Sequence, residues 1–378
     1  MLRKLGLYIL GFLAVVGPAT PCAYIAADQP KKERHYLYAV VPGIRNYLEF
    51  GGAGIVVFDI DNGHKFVKRI ATPASKEEMP DNIKGVCACA VTKKLYFTNT
   101  KKLYCVDLAT DKTLWDKTMP GGCDRMSITP DGKTIYCPSF ERDHWNVVDA
   151  ATGDVVETLF IQKKDRAHNT ICSIDGKQMF LAGIGNTTLP IADAKTHKIV
   201  AKVGPFSAGI RPFTVNGAGT LVYCNVNELL GFEIGDVKTG KILHRVEVTG
   251  VKQGPVKRHG CPSHGVGMTP DEKEVWCCDG HNSMMHVFDN TVMPPKQIAS
   301  IKVREQPGWV TFSLDGKYAY PSTGDVIEVK TKKTVTGLTD EKGGEVHSEK
   351  VVEIVFADGT VIGCGDQFGL GRQGAKPK

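Results

Sequence analysis

The sequence lacks the short motifs that mark the common nucleotide-dependent and serine-dependent enzymes. It contains no Gly-x-Ser-x-Gly, no Gly-x-x-x-x-Gly-Lys-Ser/Thr and no Gly-x-Gly-x-x-Gly set between a strand and a helix, which argues against a serine nucleophile elbow, a P-loop and a dinucleotide-binding fold. Cys-x-x-Cys-His is also missing, which excludes covalent haem attachment. Lysine and arginine form no basic stripe and the formal net charge is only +6, so nucleic acid is not an expected partner.

Long hydrophobic runs are missing as well, except at the N-terminus. Residues 5–17 are apolar, a basic pair precedes them, and small residues and prolines follow, which is the order of a secretory signal. The run is shorter than the roughly 20 residues of a membrane-spanning helix. The sequence therefore predicts a signal peptide over residues 1–27, cleaved after about residue 19 at the earliest, one domain over residues 28–378, no permanent membrane span, and a secreted or periplasmic protein.

What the sequence does contain is a repeat. Short β-branched runs end in an acidic residue and a turn at intervals of roughly 40–50 residues, a period typical of propeller blades. The acidic residues are Asp59, Asp107, Asp149, Asp193, Asp236, Asp289 and Glu328. A tight turn, such as Thr129-Pro130-Asp131-Gly132, precedes most of them at a nearly constant distance. Proline and glycine at these turn positions are typical of a reversal between antiparallel strands.

The repeat predicts an all-β, seven-bladed β-propeller with four-stranded antiparallel blades. Each small sheet can cover its hydrophobic faces only with its neighbours, so the units are expected to close into a ring. The N-terminal run at residues 35–41 and the C-terminal run at residues 351–365 are predicted to share a blade and close that ring.

The twelve cysteines do not form a recognisable metal or redox motif. Cys87 and Cys89, like the adjacent cysteines at 277 and 278, lack the two intervening residues of zinc-finger and thioredoxin motifs. Loss of Cys22 with the signal peptide would leave an odd number, so at least one thiol is expected to stay unpaired. Cys137 and Cys224 occupy equivalent positions of the repeat, as does the cysteine at 277, and are predicted to be buried thiols.

Four tetrapeptides stand after a turn and before an acidic residue. They are Tyr96-Phe97-Thr98-Asn99, Tyr136-Cys137-Pro138-Ser139, Tyr223-Cys224-Asn225-Val226 and Trp276-Cys277-Cys278-Asp279. In them the chain resembles the YVTN-repeat β-propellers of the lactonase-like superfamily, over roughly residues 35–366. The resemblance implies the fold, whereas propellers carry many functions.

The repeat also predicts a site. The residues just before the innermost strand and just after the second strand of each blade face the same end of the channel, and ionisable residues recur at both positions. The candidates are Asp124, His168, Arg211 and His264 at the first position, and Glu141, Glu228 and His281 at the second. They are expected to converge on one mouth of the channel, where a propeller binds its ligand. His259 lies in an insertion at residues 251–263, and the sequence leaves its role open.

A metal-free hydrolase is the first chemistry that suits these residues. Arg211 and the histidines would bind a small anionic or carbonyl-bearing molecule, and a carboxylate or histidine would take a proton from water. Arg211-Pro212 followed by Asn227-Glu228-Leu229 resembles elements of the 6-phosphogluconolactonase type of propeller. That resemblance implies that Arg211 orients the substrate and that Glu228 and His168 act as acid and base. His264 and His281 have no place in the pattern of that family, but the repeat register predicts that they bind the ligand together with Asp124 and Glu141.

The second chemistry uses a divalent transition metal as cofactor. His168, His264, His281 and Glu228 would supply three imidazoles and a carboxylate, a donor set that suits zinc, manganese, copper or iron. Such an ion could acidify a sugar C–H next to a carboxylate, as in propeller polysaccharide lyases, or activate water.

The third interpretation is that the protein is not an enzyme. An exported propeller can serve as a binding platform at the cell surface, because the fold by itself does not determine function. In each interpretation except this one, the expected partner is a small-molecule or carbohydrate-derived ligand.

Overall fold

Seven antiparallel sheets follow one another around a central channel in the computed structural model, which describes residues 32–374. The predicted signal peptide lies outside the described residues. Within residues 32–374, no helix has the length and apolar character required to cross a membrane.

The strands follow the predicted order of short hairpins. The first blade opens with β1 (Glu33–Val41), β2 (Gly54–Asp59) and β3 (Lys65–Ile70), with 3-10 helices at Ile60–Asn62 and Pro73–Lys76. The second and third blades are β4 (Gly85–Cys89), β5 (Lys94–Thr98), β6 (Lys102–Asp107) and β7 (Thr113–Thr118), then β8 (Ser127–Ile128), β9 (Thr134–Pro138), β10 (His144–Asp149) and β11 (Val155–Phe160). The fourth and fifth are β12 (Ala167–Cys172), β13 (Gln178–Gly183), β14 (Leu189–Asp193) and β15 (Ile199–Val203), then β16 (Ile210–Val215), β17 (Leu221–Val226), β18 (Gly231–Asp236) and β19 (Ile242–Glu247). The sixth and seventh are β20 (Val266–Met268), β21 (Glu274–Asp279), β22 (Met284–Asp289) and β23 (Lys296–Lys302), then β24 (Val310–Phe312), β25 (Tyr318–Pro321), β26 (Asp325–Glu328) and β27 (Lys333–Gly337). The chain ends its regular structure with β28 (Val351–Ala357) and β29 (Thr360–Cys364).

The ring is closed by the two ends of the chain, as predicted. β1 pairs with β2 on one side and with β28 on the other, antiparallel in both cases. β28 is therefore the inner strand of the first blade, and β29 adds a fifth strand beside it. The other six sheets have the predicted four strands, the first in sequence lying innermost.

The hydrophobic core lies between the blades. Leu37 and Val56 of the first blade pack with Tyr320 and Val326 of the seventh, and all four side chains are buried. Large β-branched and aromatic residues suit these positions because each sheet is covered on both faces. Burial of one such side chain stabilises the fold by about 1.5–3 kcal/mol, so ring closure is stabilised by apolar contact as well as by strand pairing.

The repeated acidic residues form the turns between the third and fourth strands. The Asp149 carboxylate accepts hydrogen bonds from the backbone amides of Ala151, at 2.8 Å, and Thr152, at 3.1 Å. Asp193 makes the equivalent contacts two and three residues further along its own turn. An aspartate that hydrogen-bonds to the following backbone amides stabilises such a turn, which explains why the repeat shows an acidic residue here.

No disulfide joins the eleven cysteines within residues 32–374. Cys137, Cys224 and Cys277 are fully buried free thiols, as predicted. Burial raises the pKa of the Cys277 thiol to about 12, so this thiol stays protonated and unreactive at neutral pH.

The C-terminal segment, residues 365–374, lies at the end of the channel at which the inner strands finish. Gly369 accepts hydrogen bonds from the Met268 amide, at 2.8 Å, and the Thr214 hydroxyl, at 2.6 Å. The Trp309 indole donates to the Gln367 carbonyl, and its ring packs against Phe368. The C-terminal segment therefore fills part of the channel at this end, beside an open depression of about 300 Å³ that it lines together with β4, β8 and β12.

Candidate functional site

A polar cavity of about 190 Å³ occupies the open end of the channel. Its walls come from residues at or just before the inner strands of several blades, and from the insertion between β19 and β20. Six cationic side chains line it, those of Arg45, Lys84, Arg125, Arg211, Arg258 and Lys350. Two carboxylates, Glu141 and Glu349, also line the cavity, and the excess of cationic groups in this concave site favours a small anionic ligand.

The structure brings five of the seven predicted site residues to this cavity. Glu141, His168, Arg211 and His264 line it, and Asp124 is fully buried and hydrogen-bonded to His168. Arg211 is held from two sides, because its Nε donates to Asn227 Oδ1 at 2.5 Å and its NH2 to the Gly260 carbonyl at 3.3 Å.

Asp124 and His168 form a buried pair at the centre of the site. His168 Nδ1 lies 2.7 Å from Asp124 Oδ2. The two residues meet because backbone hydrogen bonds join their blades at this level, from the Arg125 amide to the His168 carbonyl and from the Thr170 amide to the Arg125 carbonyl. A carboxylate that accepts a hydrogen bond from Nδ1 keeps the proton on that nitrogen, so Nε2 carries the lone pair. The Nε2 atom of His168 is buried and has no hydrogen-bond partner.

The protonation states of this pair follow from burial and charge. Burial by itself opposes ionisation of Asp124, but His168, Lys84 and Arg125 outweigh it and lower the pKa of Asp124 to about 2. Burial lowers the pKa of His168, against the opposing effect of Asp124. At neutral pH the pair therefore combines a carboxylate with a neutral imidazole, the form that can accept a proton.

A second buried cluster surrounds Glu349. Its Oε2 accepts hydrogen bonds from Arg125 and from Lys350 Nζ, the latter at 2.7 Å. Although burial opposes ionisation, Lys350, Arg125 and a neighbouring histidine hold the pKa of Glu349 well below its usual range. Burial is the main cause that lowers the pKa of Lys350, to about 7. The Arg125 guanidinium also lies 4.5 Å from the Trp309 ring centre, so this cluster forms the floor of the cavity.

Two histidines stand beside Glu349. The rings of His259 and His264 are stacked, with centres 4.7 Å apart. His264 Nδ1 donates to the Gly308 carbonyl at 3.1 Å, and His259 Nδ1 lies 3.4 Å from Glu349 Oε1. Burial lowers the pKa of His259 to about 4 and that of His264 well below the ordinary value, so both imidazoles are neutral at pH 7.

Glu228 and His281 do not line the cavity, which corrects their predicted convergence with the others. Glu228 is exposed, in a turn where its φ is 67°. His281 is exposed too, and its Nδ1 bonds to the Pro255 carbonyl of the insertion. The predicted four-ligand metal set of His168, His264, His281 and Glu228 is therefore not assembled, because Glu228 and His281 lie in exposed turns after β17 and β21 that contact the insertion.

Sequence reasoning missed several residues of the site. Lys84 and Lys350 directly precede the inner strands β4 and β28, close to the position that identified His168, which is the second residue of β12. They were missed because the second blade has no clear turn signal and the inner strand of the first blade comes from the far end of the chain. His259 reaches the cavity from the insertion, which has no counterpart in the repeat. The adjacent Glu349 and Lys350, just before the run that begins at residue 351, were the sequence feature that could have indicated these site residues.

Comparison with known proteins identifies similarity of fold. No family model and no curated protein matches the chain. A chain of Kuenenia stuttgartiensis hydrazine synthase has a TM-score of 0.60 at 15% identity, over 73% of this chain and 89% of that one. A chain of a mitotic checkpoint complex has a TM-score of 0.60 at 12% identity, over 84% and 96%. The Cps50 (Swd1) β-propeller domain of Myceliophteria thermophila has a TM-score of 0.55 at 12% identity, over 78% and 94%.

The protein is a seven-bladed β-propeller. At such low identity these structures support the fold alone. Membership of the YVTN-repeat family stays a prediction from the sequence, as does lactonase-like activity.

A buried carboxyl near the site gives a pH-dependent prediction. Asp165 is fully buried and accepts a hydrogen bond from Asn186 at 2.8 Å, and burial raises its pKa from 3.8 to about 6. The native state therefore keeps this proton to higher pH than the unfolded chain, and ionisation of Asp165 costs stability as pH rises from about 4 to about 6. At about 1.4 kcal/mol per pKa unit the loss is about 3 kcal/mol.

The Asp165→Asn variant should remove this loss. We expect its free energy of unfolding to exceed that of the wild type at pH 7 and the difference to shrink towards pH 4, as measured by urea denaturation at several pH values. Parallel pH profiles for the two proteins would contradict the prediction.

Proposed function

We propose that the channel mouth is the active site of a hydrolase that acts on a small anionic ester or lactone. The observation that carries this proposal is the unpartnered Nε2 of His168, buried in a cavity lined by six cations while Asp124 holds Nδ1. A histidine oriented by a carboxylate is a typical general base. Export, predicted from the N-terminal residues, would place the substrate outside the cytoplasm.

The cavity supports a small anionic substrate. Its volume of about 190 Å³ is below the range of about 300–1,000 Å³ that is typical of sites for drug-sized ligands. Arg211 lies where this cavity meets a second, more open depression that includes Glu228 and the insertion. It is therefore placed to bind the anionic group of a substrate that enters from solvent.

In the proposed reaction, water cleaves the bond between the carbonyl carbon and the leaving oxygen of the ester or lactone. Neutral His168 takes a proton through Nε2 from a water molecule that adds to the substrate carbonyl. The tetrahedral oxyanion is stabilised by the surrounding guanidinium and ammonium groups, of which Arg125 and Lys350 are buried. The protonated imidazole, stabilised by Asp124, then gives its proton to the leaving alkoxide as the carbon–oxygen bond breaks.

Glu228 has no acid or base role in this proposal. The lactonase resemblance implied one, but the exposed side chain lies outside the cavity that contains His168. An exposed side chain cannot exclude solvent from the reacting atoms, so the buried pair is the better candidate.

The direct test is hydrolysis of small anionic lactones and esters compared with neutral analogues of the same size. We expect the anionic substrates to be preferred.

Arg211→Met should raise KM about 10–100-fold with little change in kcat, because a charge-assisted hydrogen bond contributes about 1.5–3 kcal/mol. Arg142→Met, on an exposed side chain that does not line the cavity, is the matched control. Absence of turnover across the series, or equal rates for neutral analogues, would contradict the proposal.

A further inference from the structure

Three potential metal ligands, of which only His264 belongs to the predicted metal set, converge beside the His168–Asp124 pair. His259, His264 and Glu349 each offer one ligand atom, and these atoms all lie within 4.8 Å of one another. They come from the insertion, from the segment before β20 and from the segment before β28. The three side chains are almost completely removed from solvent. Distant parts of the chain therefore place two imidazoles and a carboxylate at one point of the cavity.

The hydrogen bonds around these side chains leave metal-binding atoms free. His264 donates through Nδ1 to the Gly308 carbonyl, so its Nε2 carries the lone pair. This is the usual arrangement of a metal-bound histidine, whose other nitrogen donates to a backbone carbonyl or a carboxylate. His259 Nε2 is buried without a partner. Glu349 receives Arg125 and Lys350 on Oε2, which leaves Oε1 on the side of His259.

Gly308 provides the space for this cluster. It occupies the position, before the inner strand of the seventh blade, where other blades have Asp124, His168 or His264. A Cβ at Gly308 would lie 2.3 Å from His259 Cε1 and 2.7 Å from Glu349 Oε1. Such distances are too short for non-bonded atoms, so any side chain at this position would displace both potential ligands.

We infer that His259, His264 and Glu349 bind one divalent transition metal ion. Two histidines and one glutamate are a known ligand set of catalytic zinc, with the fourth position left to water or substrate. Hard cations such as Mg²⁺ are disfavoured, because they prefer oxygen ligands and the charge of Glu349 is already shared with Arg125 and Lys350. In a tetrahedral zinc site, bonds of about 2.0–2.2 Å place two ligand atoms about 3.3–3.6 Å apart. The ligand atoms lie within 4.8 Å of one another, so binding would require them to approach each other by up to about 1.4 Å.

This site is independent of the proposed hydrolysis, although both share the cavity. The rings of His168 and His264 have centres 6.2 Å apart, so the two sites are neighbours within the cavity. Metal binding can be measured without substrate. A protein that hydrolyses lactones but binds no stoichiometric metal on titration would overturn this inference and leave the hydrolase proposal intact, whereas stoichiometric metal binding by a protein inactive on lactones and esters would do the reverse.

The experiment is a titration of the chelator-stripped full-length protein with Co²⁺, followed by visible absorption, and with Zn²⁺, followed by calorimetry. We expect one equivalent to bind, with the absorption typical of a site of low coordination number, and no comparable binding of Mg²⁺. Zn²⁺ should also raise the Tm of the wild type, because a ligand that binds the native state stabilises it. His259→Ala and Gly308→Ala should each weaken binding at least 100-fold.

The matched control is His244→Ala, since His244 lies on the outer strand β19, away from the cavity. It should keep full affinity. Circular dichroism and the Tm without metal show whether each variant is folded, and the Tm shift of the wild type tests the site without any variant. No stoichiometric binding by the wild type, or equal binding by wild type and the His259→Ala/His264→Ala double variant, would overturn the inference.

Discussion

Replacing His168 by glutamine is expected to lower kcat for lactone or ester hydrolysis by about 10²–10⁴-fold, the usual contribution of a general acid–base group. Glutamine keeps a polar side chain of similar length but cannot take a proton from water. The Asp124 carboxylate would also lose its imidazole partner. KM should change little, because substrate charge is bound by other residues. Steady-state kinetics on the best anionic substrate measure both parameters.

Two comparisons make this prediction specific. His244→Gln makes the same chemical change on β19, away from the cavity, and is expected to keep wild-type kcat. Glu228→Gln tests the role that the lactonase resemblance implied. If Glu228→Gln lost as much activity as His168→Gln, the acid–base role would belong to the exposed turn; if His168→Gln kept wild-type kcat, the buried pair would not be the catalytic base.

Replacing Glu349 by alanine should reduce the free energy of unfolding by about 3–5 kcal/mol. Arg125 and Lys350 are both buried, and Glu349 is the carboxylate that both contact. Removal of one partner leaves uncompensated charge in a low-dielectric environment, which costs more than the intact cluster contributes. Urea denaturation monitored by tryptophan fluorescence measures the change, with chelator present so that a bound metal does not add to the difference.

Glu345→Ala is the matched control for Glu349→Ala. Glu345 pairs with Arg304 at 2.8 Å, but its side chain is 53% exposed, and exposed ion pairs contribute about 0–1 kcal/mol. We expect the control to shift the urea midpoint only slightly. If Glu349→Ala also lowered the free energy of unfolding by less than about 1 kcal/mol, water would have to reach the cluster. The conclusion that the cluster forms a dry floor of the cavity would then be wrong.

Most of the fold could be predicted because a propeller repeats one local pattern. The acidic residue that ends each β-branched run forms a turn with its own neighbours, as Asp149 does with the next amides, so its spacing reports the blade directly. Closure by β1 and β28 was predictable because an incomplete blade remained at each end. β29 lies within the C-terminal run that was predicted to share the first blade, although its position as a fifth strand was not foreseen. The path of residues 365–374 was not predicted, since this segment bonds to inner strands of several blades and has no repeat of its own.

The candidate site, like the fold, was predictable only where its residues belong to the repeat. The repeat register determined that Asp124, His168 and His264 start inner strands at one end of the channel, because equivalent positions of equivalent blades face the same way. Only the tertiary structure decided which turns bend inward and what reaches the centre from outside the repeat. In the structure, Glu228 and His281 lie in exposed turns, whereas His259, Lys84 and Glu349 line the cavity. The physical reason is that strand pairing is local and periodic, whereas the contents of a cavity depend on contacts between residues far apart in the chain, such as Arg125 and Glu349, which are 224 positions apart.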